Sequence, residues 1–229
     1  AGIQADLKTF QAHGVFGMSA ITAVTVQNTQ KVYDIQEMQP KIVHDQIICL
    51  FDDVKIHAVK IGMVSSIELI QTIAKALTSV KPPPIVLDPV MISKSGYRLL
   101  NQDAQDALTY HLFPLAEVVT PNIFETEALI GRKIATVDDM KRAAIDILKL
   151  GAKKVVVKGG HLEEDRATDI LCDGLIAANM ALGKNFFEAA TLSKVYITGA
   201  IEHSLSIGQG HGPTHHFFDL YDRAGLNAK

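Results

Sequence analysis

Ile85-Val86-Leu87-Asp88-Pro89-Val90 is the stretch that decides the fold, because three aliphatic residues run directly into an Asp-Pro pair. A run this short and rich in Val and Ile is typical of a strand buried on both faces. Asp-Pro also favours turns, so a strand ended by an ordinary turn is an equal alternative for this stretch alone. Four more runs share its character: Ser19 to Val26, Ala58 to Val64, Glu117 to Thr120 and Lys154 to Val157.

Helical periodicity occupies the segments between these runs. Ser66 to Val80 and Thr136 to Leu150 each carry an apolar face, and Glu188 to Ser204 predicts a third long helix. The face of the second helix should hold Val137, Met140, Ala144, Ile147 and Leu148. Thr136 and Asp139 have capping-box spacing, and Gly151 is placed to close that helix.

Strands that alternate with helices predict right-handed βαβ units. We therefore expect an α/β protein with three layers, α/β/α, around a mostly parallel central sheet. The sequence contains no internal repeat or linker, so we expect a single domain over residues 1–229. Because residue 1 is an alanine inside a helix-start pattern, we also expect an N-terminal strand to precede it.

Bulk composition excludes several classes of function. The 229 residues are 48% apolar with a net charge of −3, so the basic patch expected of a nucleic-acid-binding protein is missing. No apolar run is long enough to span a bilayer, and no signal peptide is visible. Cys49 and Cys172 lie too far apart to form a disulfide framework, which favours a reducing cytoplasm.

Polar or glycine residues follow all five predicted strands. They are Gln27-Asn28, Gly62-Met63, Asp88-Pro89, Thr120-Pro121-Asn122 and Lys158-Gly159-Gly160. In open α/β sheets, ligands bind beyond the carboxyl ends of the strands. The pattern therefore predicts a ligand cleft along this edge of the sheet.

Each of these segments also has an ordinary structural interpretation. Asn122 and Glu125 could form a helix cap worth about 1 kcal/mol, or a magnesium site beside a phosphate. Lys158-Gly159-Gly160 could be a plain strand end, or could let the backbone and Lys158 approach a nucleotide. Gln27 could pair with an aminopyrimidine edge, or be a buried amide satisfied by backbone.

The ordered series of motifs is more specific than any one of them. It comprises Ala1-Gly2-Ile3-Gln4-Ala5-Asp6-Leu7-Lys8, Thr22-Ala23-Val24-Thr25-Val26-Gln27-Asn28-Thr29, Lys60-Ile61-Gly62-Met63, Asp88-Pro89-Val90-Met91, Lys94-Ser95-Gly96, Val119-Thr120-Pro121-Asn122, Val157-Lys158-Gly159-Gly160-His161 and Gly210-His211-Gly212-Pro213. This series resembles the hydroxymethylpyrimidine/phosphomethylpyrimidine kinases of thiamin biosynthesis, in the ribokinase-like superfamily. The resemblance extends from residue 1 to about residue 218.

The resemblance implies a binding site for a pyrimidine alcohol. Gln27 would hydrogen-bond the pyrimidine, and Met63 and Val90 would pack on its ring. Gly2 and Asp6 would lie near the hydroxymethyl group.

It also implies ATP and Mg²⁺ as cofactors. Asp88 and Glu125 would organise the metal, with Asn122 in the same motif. Lys158 would face the nucleotide, and Lys94 would lie on a flap over the phosphates. The implied reaction transfers the γ-phosphoryl group to a primary alcohol and then to the resulting monophosphate, in a cytoplasmic enzyme that is usually a homodimer.

The sequence departs from this family in one place. The family carries a strand and a Gly-Thr-Gly-Cys-Thr-like loop where this chain passes directly from Gly174 to Leu175. Its catalytic aspartate or cysteine would lie in that segment. We interpret the junction as a strand end followed by the middle of a helix, and we expect the intact protein to carry the segment. A true deletion would expose apolar surface costing several kcal/mol, against a usual stability margin of about 5–15 kcal/mol.

Other interpretations remain open. A true deletion would leave a catalytically inactive pyrimidine sensor, and a pyridoxine or pyridoxal kinase would share the same framework. His211, His215 and His216 could bind a metal, but their spacing matches no compact zinc pattern. The similar Gly-His-Gly-Pro stretch of the family implies a structural tail instead. The polar segment Tyr33 to Pro40 is expected to be irregular, and the resemblance to ribokinase-like proteins implies that it forms a lid or a dimer contact.

Overall fold

The computed structural model describes residues 2–91, 100, 102–159, 173–210 and 212–226. The first half contains α1 (Ile3–Ala12), β1 (Ala23–Gln27), β2 (Val32–Glu37), α2 (Pro40–Asp53), β3 (Val59–Ile61), α3 (Ile67–Val80) and β4 (Ile85–Leu87). The second half contains α4 (Gln102–His111), a 3-10 helix (Phe113–Leu115), β5 (Val118–Val119), α5 (Ile123–Ile130), α6 (Val137–Leu148), α7 (Asp173–Ala181), α8 (Phe186–Glu202) and α9 (Phe218–Arg223).

The central sheet is parallel, in the order β3-β4-β5. Isolated parallel bridges from Val119 to Val155 and from Asn122 to Lys158 extend it by one position. Four of the five predicted runs therefore contribute to one parallel sheet. The run Lys154 to Val157 does so through bridges alone, without a continuous strand.

Helices cover both faces of this sheet. Val86 packs with Ile176 and Ala177 of α7, whereas Ile85 and Leu87 join the larger core on the side of α3 and α4. Alternate residues of β4 thus enter opposite cores, as expected for a strand buried on both faces. The predicted three-layer α/β/α architecture is confirmed.

The prediction for Ser19 to Val26 was wrong. β1 pairs antiparallel with β2 in a separate hairpin, and its residues Val24 and Val26 are 56% and 58% exposed. The Asn28 side chain accepts hydrogen bonds from the backbone N–H groups of Gln30 and Lys31, which stabilises the turn. Apolar residues alternate along β1, and that period of two is typical of a half-exposed strand.

The expected irregular segment at Tyr33 to Pro40 was also wrong. Val32–Glu37 forms β2, and Pro40 already begins α2. Polar Asp34 and Gln36 alternate with less polar neighbours, which is the pattern of a two-stranded ribbon.

The helix predictions hold in position but not in every detail. α3 begins directly after Ser66 and ends at Val80, as expected. The capping box of Thr136 and Asp139 starts α6, but the helix ends at Leu148, and Gly151 lies three residues beyond its end with φ 111°. Val137 and Leu148 are exposed, because they flank the buried stripe of α6.

The junction between Gly174 and Leu175 lies within α7. Asp173 and Gly174 are helical, so the interpretation of these two residues as a strand end was wrong. Leu175 and Ile176 are fully buried, since α7 packs against α1, α8 and the sheet. Gly174 and Leu175 are consecutive residues of this helix, and the additional segment expected between them stays a prediction.

Candidate functional site

The carboxyl ends of the strands meet along one edge of the sheet. The Ile61 carbonyl accepts a hydrogen bond from the Asp88 N–H, and the Leu87 carbonyl accepts one from Thr120, both at 2.9 Å. The Pro121 carbonyl accepts one from the Lys158 N–H at 2.8 Å. The residues that follow four strand positions are therefore neighbours, as the sequence predicted.

Asp88 and Lys158 form an ion pair across this edge. The Lys158 Nζ lies 2.9 Å from Asp88 Oδ1, and the two side chains are only 15% and 14% exposed. A pair this sheltered from water holds the two side chains in fixed positions. The structure therefore joins a residue expected at the metal to one expected at the nucleotide.

Asn122 and Glu125 form a capping box at the start of α5. The Asn122 Oδ1 accepts from the Glu125 N–H at 2.9 Å, and Glu125 Oε2 accepts from the Asn122 N–H at 2.8 Å. Glu125 is 2% exposed and points its carboxylate towards the helix N-terminus. The ordinary capping interpretation is confirmed, and the magnesium role of the same side chain stays a prediction.

The donor atoms at this end of the sheet suit a hard cation. Carboxylates of Asp88 and Glu125 and the amide of Asn122 supply oxygen, which Mg²⁺ prefers, and Mg²⁺ usually uses one or two protein carboxylates and several waters. Among the residues described here, no group of three or more His, Cys, Asp or Glu side chains is arranged to hold a metal. The donor atoms of Asp88, Glu125 and Asn122 thus fit a magnesium ion held by one or two carboxylates and water.

A second ion pair lies at the β3 end of the same edge. The Lys60 Nζ is 2.8 Å from Asp6 Oδ2, with side-chain exposures of 11% and 18%. Asp6 belongs to the first turn of α1 and lies beside the N-terminal end of α7, where a Cβ added to Gly174 would be 3.1 Å from Asp6 Oδ1. Sequence reasoning assigned Lys60 no role, although a lysine within an otherwise apolar strand was a usable signal.

Gly2 caps α1 in a conformation that suits glycine. Its φ is 66°, and its carbonyl accepts hydrogen bonds from the N–H groups of Ala5 and Asp6. This arrangement directs the first turn of α1, and with it Asp6, towards Lys60.

The residues expected to contact the pyrimidine ring lie near the hairpin and the strand ends. Met63 and Val90 are half-buried, and the Met63 carbonyl accepts a hydrogen bond from Thr22 Oγ1 at 3.0 Å. Gln27 ends β1 and is exposed, so the interpretation of Gln27 as a buried amide was wrong. Lys94 lies outside the described residues.

The histidine tail packs against α1. His215 and His216 are buried, and His216 Nδ1 lies 3.1 Å from Thr9 Oγ1. Burial lowers the pKa of the His216 imidazole below its usual value. These are the contacts of a packed structural tail. His211 is outside the described part of the chain.

The three-layer fold is that of the ribokinase-like kinases, since solved structures of a phosphomethylpyrimidine kinase and a pyridoxal kinase share it. Residues 1–175 match the family model described as phosphomethylpyrimidine kinase. The chain therefore belongs to the phosphomethylpyrimidine kinase family.

Individual relatives agree with this assignment. The chain is 44% identical to the hydroxymethylpyrimidine/phosphomethylpyrimidine kinase of Haemophilus influenzae, covering 95% of this chain and 91% of that protein. It is 48% identical to the crystal structure of phosphomethylpyrimidine kinase from Clostridium difficile 630, with a TM-score of 0.80 and coverage of 88% and 93%. An ADP complex of Bacillus subtilis pyridoxal kinase is 32% identical, with a TM-score of 0.84 and coverage of 95% and 92%.

The alignment with the Haemophilus protein contains more positions than this chain contributes residues to it. The match to the Haemophilus protein extends over 248 positions, whereas 95% of 229 residues is about 218, so about 30 positions hold no residue of this chain. The family match ends at Leu175, directly after the unusual junction. Within the described residues, no helix is both long enough and apolar enough to cross a membrane.

Proposed function

We propose that this chain transfers the γ-phosphoryl group of ATP to the hydroxymethyl oxygen of 4-amino-5-hydroxymethyl-2-methylpyrimidine, and then to the monophosphate, in thiamin biosynthesis. The observation that carries the proposal is the family match over residues 1–175, which includes every residue of the candidate site. Relatives that are 37–44% identical over at least 95% of this chain bear the matching enzyme name.

The pyrimidine binds beneath the hairpin, at the end of β3. Gln27 offers a donor and an acceptor on one planar amide, which matches a ring nitrogen and its neighbouring exocyclic amine. Met63 and Val90 pack on the ring. Gly2 and Asp6, at the start of α1, lie beside the hydroxymethyl group.

The nucleotide phosphates occupy the opposite end of the edge. Lys158 and Lys94 contact the nucleotide, and Asn122 orients Glu125 through the capping box. Asp88 and Glu125 hold Mg²⁺, which when bound neutralises charge on the transferring phosphoryl group. The ion pair between Asp88 and Lys158 keeps the carboxylate and the ammonium group in fixed positions for this task.

The catalytic machinery is completed by a segment between Gly174 and Leu175. Phosphoryl transfer needs backbone N–H groups directed at the phosphate and a base near the alcohol. In the family both come from the Gly-rich loop and its catalytic aspartate or cysteine. The end of the family match at Leu175, and the excess length of the alignments, support such a segment.

Pyridoxal phosphorylation is the second candidate, and one observation favours it. The fold superposes on the Bacillus subtilis pyridoxal kinase with a TM-score of 0.84, slightly above the 0.80 of the Clostridium structure. Sequence identity favours the pyrimidine kinase instead, at 48% to the Clostridium structure against 32% to the pyridoxal kinase. Side chains decide a substrate and folds do not, so we favour the pyrimidine.

The enzyme acts in the cytoplasm as a homodimer in this proposal. Its exposed hairpin, with Val24, Val26 and Tyr33 facing solvent in the single chain, supports a role as a lid or a subunit contact.

An assay with the purified full-length protein tests the function. We expect ATP, Mg²⁺ and the pyrimidine alcohol to give first the monophosphate and then the diphosphate, which phosphorus NMR resolves. Pyridoxal serves as the competing acceptor. Binding of the alcohol without turnover would instead support the inactive sensor, and faster turnover of pyridoxal would favour the second candidate.

A further inference from the structure

The ammonium group of Lys60 lies at the acceptor end of the proposed site. Lys60 belongs to β3, and its side chain runs towards the end of that strand. The distance that shows this is 3.1 Å, from Lys60 Nζ to a Cβ added to Gly62. Met63, proposed to pack on the substrate ring, follows immediately. Asp6, proposed to lie beside the hydroxymethyl group, is within hydrogen-bond distance of the same Nζ.

We propose that Lys60 determines specificity for the second transfer, by binding the phosphate of the monophosphate acceptor. This inference rests on the proposed function and identifies the residue that lets one site accept both an alcohol and a phosphate ester. With the alcohol bound, Asp6 neutralises Lys60. With the monophosphate bound, the ammonium group is shared between the Asp6 carboxylate and the new phosphate.

The two transfers differ in charge in a way that requires such a residue. In the first, the alcohol oxygen bonds to the γ-phosphorus, the bond from that phosphorus to the β-bridging oxygen breaks, ADP leaves, and the hydroxyl proton is released. In the second, an oxygen of the bound phosphate bonds to the γ-phosphorus and ADP again leaves. The second acceptor is an anion and needs a cation that the first does not.

The carboxylate of Asp6 strengthens the requirement for a cation beside the second acceptor. This carboxylate is only 18% exposed. In the proposed site it lies beside the hydroxymethyl oxygen, which carries a phosphate after the first transfer. Like charges that are poorly solvated repel strongly, so Asp6 alone would exclude the monophosphate. Lys60 offsets that repulsion, and its three N–H donors can serve both anions together.

Three variants of the full-length protein separate this role from a structural one. Lys60→Met removes the cation, Lys60→Arg restores it, and Lys8→Met removes an exposed lysine from the same region as a matched control. For each, kcat/KM is measured separately with the alcohol and with the monophosphate. A charge-assisted hydrogen bond is worth about 1.5–3 kcal/mol, so Lys60→Met should lower the monophosphate-to-alcohol ratio by about 10- to 150-fold. The loss should appear mainly in KM for the monophosphate.

Lys60→Arg should recover most of that ratio, and Lys8→Met should leave it at the wild-type value. If Lys60→Met lowers both transfers by the same factor, or if arginine fails to restore the ratio, Lys60 is a scaffold residue and the inference is overturned. A wild-type protein that phosphorylates neither acceptor would contradict the proposed function itself, which separates the two failures.

Lys60→Met leaves Asp6 without this partner in a sheltered place, and such variants can fail to fold. The double variant Asp6→Asn/Lys60→Met removes both charges and serves as the second test. Its monophosphate-to-alcohol ratio should lie below that of Asp6→Asn alone. Equal ratios in these two proteins would overturn the inference.

Discussion

At the residue scale, Glu125 combines a structural and a proposed catalytic task, and one substitution separates them. Glu125→Gln keeps an oxygen that can accept from the Asn122 N–H, so the cap and the fold should persist. The negative charge is lost, so kcat should fall at least about 100-fold while KM for the alcohol changes little. Steady-state kinetics and urea unfolding measure the two effects.

Glu188 provides a matched control for this substitution. It occupies the same capping-box position on α8, opposite Asn185, and is exposed. Glu188→Gln should leave turnover at the wild-type value. Unchanged turnover in Glu125→Gln together with a raised KM for the alcohol would contradict the assignment of Glu125 to magnesium.

Gln27 is the residue at which pyrimidine and pyridoxal should be distinguished. Pyridoxal lacks the exocyclic amine, so it would leave one amide group of Gln27 unpaired once the site closes. An unsatisfied polar group costs about 1–3 kcal/mol, or roughly five- to 150-fold in discrimination. Gln27→Leu should therefore remove most of the preference for the pyrimidine and leave pyridoxal nearly unaffected.

The measurement is kcat/KM for both alcohols, with Gln36→Leu on the neighbouring strand as a control. That control should retain the wild-type preference, since Gln36 donates to the Glu37 carbonyl and has no proposed contact with substrate. Equal losses for both alcohols in Gln27→Leu would make Gln27 a scaffold residue and raise the pyridoxal kinase alternative.

At the element scale, the contact between α8 and α9 should make a glycine substitution lower the free energy of unfolding, although the same change usually raises it in a helix. Gly199→Ala would ordinarily stabilise a helix by about 1 kcal/mol. Here an added Cβ would lie 2.7 Å from Phe218 Cζ, and overpacking costs about 1–3 kcal/mol. We expect net destabilisation in urea unfolding, relieved when Phe218→Leu is added. Stabilisation by Gly199→Ala alone would show that α9 does not dock firmly.

The attachment of α1 to the C-terminal tail should weaken in acid. Burial lowers the pKa of His216, which contacts Thr9, and also of His13, although the His13 bond to the Thr9 carbonyl opposes the shift. As the pH falls, these two histidines therefore bind protons in the unfolded chain before they do so in the folded protein. The stabilisation is complete above the unfolded pKa of about 6.5 and is lost as pH falls towards the lower folded values.

Urea unfolding at pH 7.5 and pH 5.5 measures this loss. The double variant His13→Gln/His216→Gln removes both groups and should flatten the pH dependence in this range. A slope that persists in the double variant would assign the effect to other groups.

At the scale of the whole molecule, the junction within α7 is the feature to test first. We predict that the intact coding region holds an additional segment, on the order of 30 codons, between those of Gly174 and Leu175, because the alignment with the Haemophilus relative exceeds this chain by about that length. DNA sequencing across the junction decides this directly. An uninterrupted sequence would favour the inactive sensor, which should bind the pyrimidine and show no turnover.

The sequence by itself predicted the layered fold, the positions of most helices and a ligand cleft at the strand ends. These features depend on local periodicity and on the rule that strand ends meet at one edge, and neither requires knowledge of contacts. The roles of the individual site residues came from the family resemblance of the motifs and stay predictions. Prediction from the sequence failed at β1 and β2, because a half-exposed hairpin and a buried strand share β-branched residues and differ only in which neighbours cover them.

Only the tertiary structure decided which charges meet. Asp88 and Lys158 are 70 residues apart and Asp6 and Lys60 are 54 apart, yet each pair is within 2.9 Å. Which strand lies beside which, and how far a long lysine side chain bends, follow from packing between distant segments, and no local pattern encodes them. A lysine within an apolar strand marks Lys60 in the sequence, but only the fold shows that it meets Asp6. Gln27, Asn122 and Glu125, by contrast, could be named from the sequence alone.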